Sequence, residues 1–169
     1  EEPGYKIGVS EYGAGGSVMH HEEKIRRPFP IFHEWHPEEY QTTVHEGNWR
    51  VINDRDYIWG SYIWNMFDFG SHFRREGDAI GMNDKGMVSY DRKTKKDVFF
   101  FYKANWSPKP VIHLTNSRFK IRKRDKITVK VYSNLSDVEL FVNDKSLGTK
   151  RGENDTLVWE DIELQEGNN

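Results

Sequence analysis

Glu11 stands where a carboxylate could do covalent or acid–base chemistry. It follows a short apolar stretch, residues 5–10, and leads into Tyr12-Gly13-Ala14-Gly15-Gly16. A strand fixes such an acid, and a glycine-rich turn leaves room for a substrate, as barrel enzymes arrange their reactive groups. Alone, the pattern also fits a helix cap or a surface charge. Asn83 and Lys85, in Asn83-Asp84-Lys85-Gly86, combine an amide and an ammonium, natural partners for an anion. The same residues also suit a solvated turn. Metal chemistry has weaker support. His33-Glu34-Trp35-His36 is one residue short of the spacing that puts two histidines on one helix face. The adjacent His20 and His21 cannot share a face. There is no cysteine to bind a metal or act as nucleophile.

These groups need elements to hold them. Residues 5–10 read as a strand. Residues 13–36 look irregular. Pro37 begins a helix-like stretch to about Asp54, with Tyr40, Val44, Val51 and Ile52 as a partial apolar face. Residues 57–67 read as a strand buried on both faces, and residues 68–90 as a long loop. Residues 94–106 read as a second helix, with Thr94 and Asp97 as a capping pair. Strand, helix, strand, helix suggests two β/α units of a parallel sheet. Past Pro108-Lys109-Pro110, a stiff connector, the pattern changes. Ile127, Val129 and Val131 alternate with polar residues, as do Val138, Leu140 and Val142. Leu157, Trp159, Ile162 and Leu164 supply another strand, bulged by its spacing. The second part reads as an all-β sandwich short of a closing strand.

Composition narrows the partners. The 169 residues suit one domain or two small ones. Basic and acidic residues number 25 and 27 and are well mixed, so no polyanion-binding stripe exists and nucleic acid is not expected. No apolar run is long enough to cross a membrane. Aromatics make up 14% of the chain, enough for a core of large rings or a stacking surface. The start at residues 1–3, without Met, reads as that of an excised piece.

Five spaced motifs occur in one order: residues 10–17 (Ser-Glu-Tyr-Gly-Ala-Gly-Gly-Ser), 35–41 (Trp-His-Pro-Glu-Glu-Tyr-Gln), 63–69 (Ile-Trp-Asn-Met-Phe-Asp-Phe), 83–86 with 90–93, and 102–106 (Tyr-Lys-Ala-Asn-Trp). Together they resemble glycoside hydrolase family 2, most of all its bacterial β-galactosidases. The resemblance implies residues 1–107 as the last two β/α units of a (β/α)8 TIM barrel, and residues 108–169 as a truncated Ig-like β-sandwich. It makes Glu11 the nucleophile of a retaining exo-β-glycosidase and Trp64 the floor of the sugar subsite, with Asn65 as a nearby hydrogen-bonding group. No cofactor is required by it, though Na⁺ or Mg²⁺ can bind near such pockets. The implied partner is a glycoside.

Two departures matter. A retaining glycosidase needs a second carboxyl group about 5–5.5 Å from the nucleophile. The family's acid/base Glu follows an Asn, and this chain has no Asn-Glu dipeptide. The isolated chain is therefore expected to be inactive; turnover by the purified piece would overturn that expectation. The second departure concerns the sugar. Large bacterial β-galactosidases often carry a His three residues after the nucleophile, where this chain has Ala14, leaving His20 or His21 to serve. Asn83-x-Lys85-Gly86 instead resembles the carboxylate grip of β-glucuronidases, which makes a uronidase the alternative to a galactosidase. A rival of another class is a carbohydrate-binding or scaffold module. Against it, the sandwich has few aromatics, and Phe119, Tyr132, Phe141 and Trp159 mostly fall where a core is expected. Two barrel units would leave open sheet edges, which either pairing into a homo-oligomer or the rest of a larger protein would cover.

Overall fold

The computed structural model describes residues 4–26, 28–30 and 32–169. The excised-piece reading of residues 1–3 lies outside them. The chain divides into two compact units, Glu1–Phe99 and Phe100–Asn169. Among the described residues no helix is long and apolar enough to cross a membrane.

In the first unit, β1 (Ile7–Tyr12) and β2 (Ile58–Ile63) pair in parallel, joined through α1 (Glu38–Asn53). Parallel neighbours need such a crossover. The pairing is not regular. Val9 lies opposite Ser61 and Tyr12 opposite Ile63, so three steps on β1 match two on β2. The surplus residue falls at Ser10–Glu11 as a β-bulge, a device that re-aims a side chain.

Several expectations need correction here. β2 is not buried on both faces: Trp59 and Tyr62 are 65% and 61% exposed, because among the described residues β1 is the only strand paired with it. The buried side of α1 is polar, made of Glu38, Glu39, Gln41, Thr42 and His45, while Val51 of the expected apolar face is half exposed. The helix packs on loops whose backbone groups need partners. Gln41 Nε2, for instance, donates to the carbonyls of Ala14 (2.9 Å) and Gly86 (3.1 Å). Pro37 is the N-cap of α1 rather than its first helical residue. Residues 68–90 are not simply a loop. They contain the antiparallel hairpin β3 (Phe69–Glu76) and β4 (Ala79–Asn83), whose strand signal is diluted by Gly70, Gly81 and charged residues. The second helix, α2 (Asp97–Trp106), starts three residues later than expected. Its first N–H is satisfied from outside the segment: Asp97 N–H donates to Glu38 Oε1 at 2.7 Å.

The second unit is antiparallel. β5 (Ile112–Leu114), β6 (Lys126–Ser133) and β9 (Thr156–Glu163) form one sheet, and β7 (Val138–Val142) with β8 (Lys145–Lys150) the other. Asn143 and Asp144, both at positive φ, make the tight β7–β8 turn. Val131, Val138, Leu157 and Trp159 form the core, flanked by Val129, Leu140, Leu147 and Ile162. The bulge in β9 sits at Asp161 (φ 54°), between the Val129–Trp159 and Ile127–Ile162 pairs. Phe141 does not face the core and is 56% exposed; with Leu140 packed against the core, the period of two turns its neighbour outward. The Asn134 side chain pins the Pro-x-Pro connector, donating to Ser107 O and Lys109 O and accepting from Val111 N–H.

Candidate active site

Parallel pairing brings two candidate residues to one edge. Glu11 lies on the bulge near the C-terminal end of β1 and is exposed. Trp64 follows the C-terminal end of β2, and its N–H donates to Tyr12 O at 2.8 Å. Trp64 is 41% exposed and meets Phe69 edge to face, with ring centroids 5.9 Å apart. The Trp64–Asn65 peptide is cis. Asn65 continues the line: its N–H donates to Lys85 O (3.2 Å), and its carbonyl accepts from Met87 N–H (3.0 Å). Its side-chain Nδ2 donates to Phe67 O, while its buried Oδ1 accepts no hydrogen bond among the described residues. Asn83 is buried and folds the loop tightly, its Oδ1 accepting Lys85 N–H at 3.1 Å. The backbone thus links Tyr12, Trp64, Asn65 and Lys85 in sequence, and all five candidates (Glu11, Trp64, Asn65, Asn83 and Lys85) belong to this one linked group.

Lys85 faces a buried acid. Its Nζ lies 3.6 Å from Glu76 Oε1, and Glu76 Oε2 accepts from Arg74 Nη1 at 3.2 Å. The Glu76 side chain is fully shielded from solvent.

Beneath the edge is a charged network that sequence patterns did not single out. Lys96, 1% exposed, donates from Nζ to Asp68 Oδ1 (2.8 Å), Gly16 O (2.6 Å) and Asp84 O (2.9 Å). Burial pushes the Asp68 carboxyl upward, with Lys96 and the Gly86 N–H pulling the other way. Asp84, the middle residue of the Asn-x-Lys motif, receives His36 Nδ1 on both carboxylate oxygens (2.9 and 3.1 Å). His36 Nε2 contacts Pro30 O at 3.1 Å. Two glycines close on this pair. A Cβ at Gly15 would meet Asp84 Oδ1 at 2.4 Å and His36 Nδ1 at 2.6 Å, and one at Gly77 (φ 65°) would meet Asp84 Oδ2 at 2.3 Å. Gly16 N–H also donates to Asp84 O, so the loop after Glu11 and the Asn-x-Lys loop share one support. The only sequence clue was a run of charges among glycines.

The other histidines are engaged elsewhere. His21 Nδ1 pairs with Glu39 Oε1 at 2.9 Å. His20 stacks on Trp35 and is lowered chiefly by burial. His33 Nδ1 accepts the Trp35 N–H, and His45 is buried and lowered to about 3 by burial and by Lys96. Among the described residues no cluster of three or more His, Asp or Glu side chains could hold a metal ion.

Burial pulls the His36 pKa down, but the Asp84 hydrogen bond and charge, with Pro30 O and Glu76, outweigh it and raise it. Both ring nitrogens face acceptors, the Asp84 carboxylate at Nδ1 and the Pro30 carbonyl at Nε2. A group whose pKa is raised on folding adds stability fully below its unfolded value and loses it as pH climbs through the folded value. NMR titration of His36 in the full-length protein should give a midpoint above that of an ordinary histidine. Stability should fall as pH rises through that midpoint, and His36→Gln should remove this dependence. A midpoint below the ordinary value would contradict the pairing.

Comparison with known proteins adds an independent observation. Residues 124–168 match a domain of unknown function, DUF4982. The whole chain aligns with a β-glucuronidase of Bacteroides fragilis at 43% identity over 171 residues, covering 100% of this chain and 24% of that protein. A β-galactosidase of Bacteroides ovatus is 34% identical over 115 residues, 68% of this chain and 13% of that one. The chain belongs to glycoside hydrolase family 2. In structure, this family 2 chain superposes on Bacteroides uniformis β-glucuronidase 2, solved covalently bound to cyclophellitol-6-carboxylate aziridine. The TM-score is 0.73 at 32% identity, over 94% of this chain and 19% of that one. The chain thus spans about a quarter of its Bacteroides fragilis relative or less of the other two.

Proposed function

We propose that this chain is part of a retaining β-glycosidase that cleaves terminal β-glucuronides, with Glu11 as nucleophile. Residues 1–107 are the C-terminal portion of its (β/α)8 barrel, and residues 108–169 an Ig-like sandwich that follows it in the chain. Glu11 attacks the anomeric carbon, and a carboxylic acid elsewhere in the full-length protein protonates the leaving oxygen. Trp64 lies under the sugar ring and Asn65 contacts its hydroxyls. Asn83 and Lys85 grip the sugar carboxylate through charge-assisted hydrogen bonds.

The observation that carries the uronide reading is the charge at Lys85. Two cations, Arg74 and Lys85, flank the single acid Glu76, and the positive charge left over suits one carboxylate. Support comes from the B. fragilis relative, named a β-glucuronidase, and from the B. uniformis enzyme, bound covalently to a carboxylate-bearing reagent. A β-galactosidase is the second reading, favoured by the B. ovatus relative.

The test uses the full-length protein with aryl β-glucuronide and aryl β-galactoside. Wild type should prefer the glucuronide. Lys85→Met should lower kcat/KM on the glucuronide about 10–100-fold, the worth of a hydrogen bond to a charged group, and leave the galactoside within a few fold. A wild-type preference for the galactoside, unmoved by Lys85→Met, would establish the second reading instead.

A further inference from the structure

We infer that Glu76 is a positioning residue for anionic sugars, holding the Lys85 ammonium in place. The inference rests on the uronide reading and adds to it a residue outside the substrate's reach. Glu76 ends β3, next to the Gly77 turn that packs on Asp84. Its side chain is shielded from solvent, and Arg74 fixes one of its oxygens. The other oxygen faces Lys85 at 3.6 Å. The Lys85 side chain is 13% exposed, and its Nζ is buried without a hydrogen bond among the described residues. An ammonium in that state is not held by directional bonds. What holds it is the nearby opposite charge, which offsets the cost of leaving water. The remaining donor capacity of Nζ is what an incoming carboxylate would use.

The arrangement explains why the acid does not simply cancel the site. At 3.6 Å and without a hydrogen bond to Lys85, Glu76 supplies charge without occupying the donors. Arg74 meanwhile restores the net positive balance. Glu76 therefore places the cation but leaves its bonds to the substrate.

The experiment is a double-mutant cycle in the full-length protein, with Glu76→Gln, Lys85→Met and the pair, assayed on aryl β-glucuronide and aryl β-galactoside. Glu76→Gln should raise KM for the glucuronide about 5–10-fold with kcat retained, the size of one coupling term between neighbours. The galactoside should change by less than twofold, which also reports an intact fold. In the Lys85→Met background, Glu76→Gln should have no further effect on the glucuronide-to-galactoside ratio. Should Glu76→Gln lose activity on both sugars, Arg74→Gln serves instead; by freeing the Glu76 carboxylate it should raise the glucuronide KM alone.

A lower glucuronide KM in Glu76→Gln would make Glu76 a competitor of the substrate and overturn the inference. So would a ratio change that persists in Lys85→Met. If Lys85→Met shifts the ratio and neither Glu76→Gln nor Arg74→Gln does, the inference falls and the uronide reading stands. If Lys85→Met leaves the ratio alone, the uronide reading itself falls.

Discussion

Glu11→Gln in the full-length protein is expected to lower kcat/KM on aryl glycosides by about four orders of magnitude or more, the scale seen when a nucleophile is removed. The amide keeps the size and shape of the carboxylate but cannot form the glycosyl ester. Because Glu11 is exposed on a bulge of β1, the substitution disturbs little packing, and the melting temperature should stay within a few degrees of wild type. A chemical signature separates a nucleophile from a general acid. Glu11→Gly with azide should regain turnover and release the glycosyl azide of inverted anomeric configuration, because azide then attacks in place of the carboxylate. Near-normal turnover by Glu11→Gln, or rescue giving the retained anomer, would remove Glu11 from that role.

The second large effect is structural. Lys96→Met should destabilise the fold by about 3–5 kcal/mol, the usual penalty for breaking a buried ion pair from one side. The one Lys96 ammonium donates to all three of Asp68 Oδ1, Gly16 O and Asp84 O. Removing it leaves a shielded carboxylate without its counter-charge and two carbonyls each short of a donor. The urea midpoint should fall accordingly. Hydrogen exchange should quicken at Gly16, whose N–H reaches Asp84 O. Replacing Asp68 by Asn in the same background should recover part of the loss, since the stranded charge then disappears. A Lys96→Met protein as stable as wild type would mean that the network contributes no net stability.

The strands and helices were largely legible in the residues because their signals are local. The apolar run before Glu11, the Pro at the start of α1 and the alternation in β6, β7 and β9 each specify an element within a few neighbours. The bulge in β9 could be read from the spacing of Trp159 and Ile162. What escaped depends on distant partners. The buried face of α1 is polar because loops far along the chain use Gln41, and no periodicity reports that. The late start of α2 follows from Glu38 reaching Asp97, not from Thr94. The β3–β4 hairpin hid behind residues of low strand preference. At the site, Glu11, Trp64, Asn83 and Lys85 stood out by type and motif. Asp84, His36, Lys96 and Glu76 did not, since a buried charge looks like a surface charge until its partner is known.

One consequence concerns how this loop could change over generations. The Asn83 and Lys85 side chains have few partners among the described residues, the Lys85 N–H and the Glu76 carboxylate, whereas Asp84 between them is anchored to His36 and hemmed in by Gly15 and Gly77. On the proposed uronide reading, variation at 83 or 85 would retune which sugar is accepted while the His36–Asp84 support stays intact. Variation at 84 would have to be accompanied by changes at three other places. On that reading, substrate preference and structural integrity fall to alternate residues of the same tripeptide, which would let a lineage explore new sugars in single steps without first losing its fold.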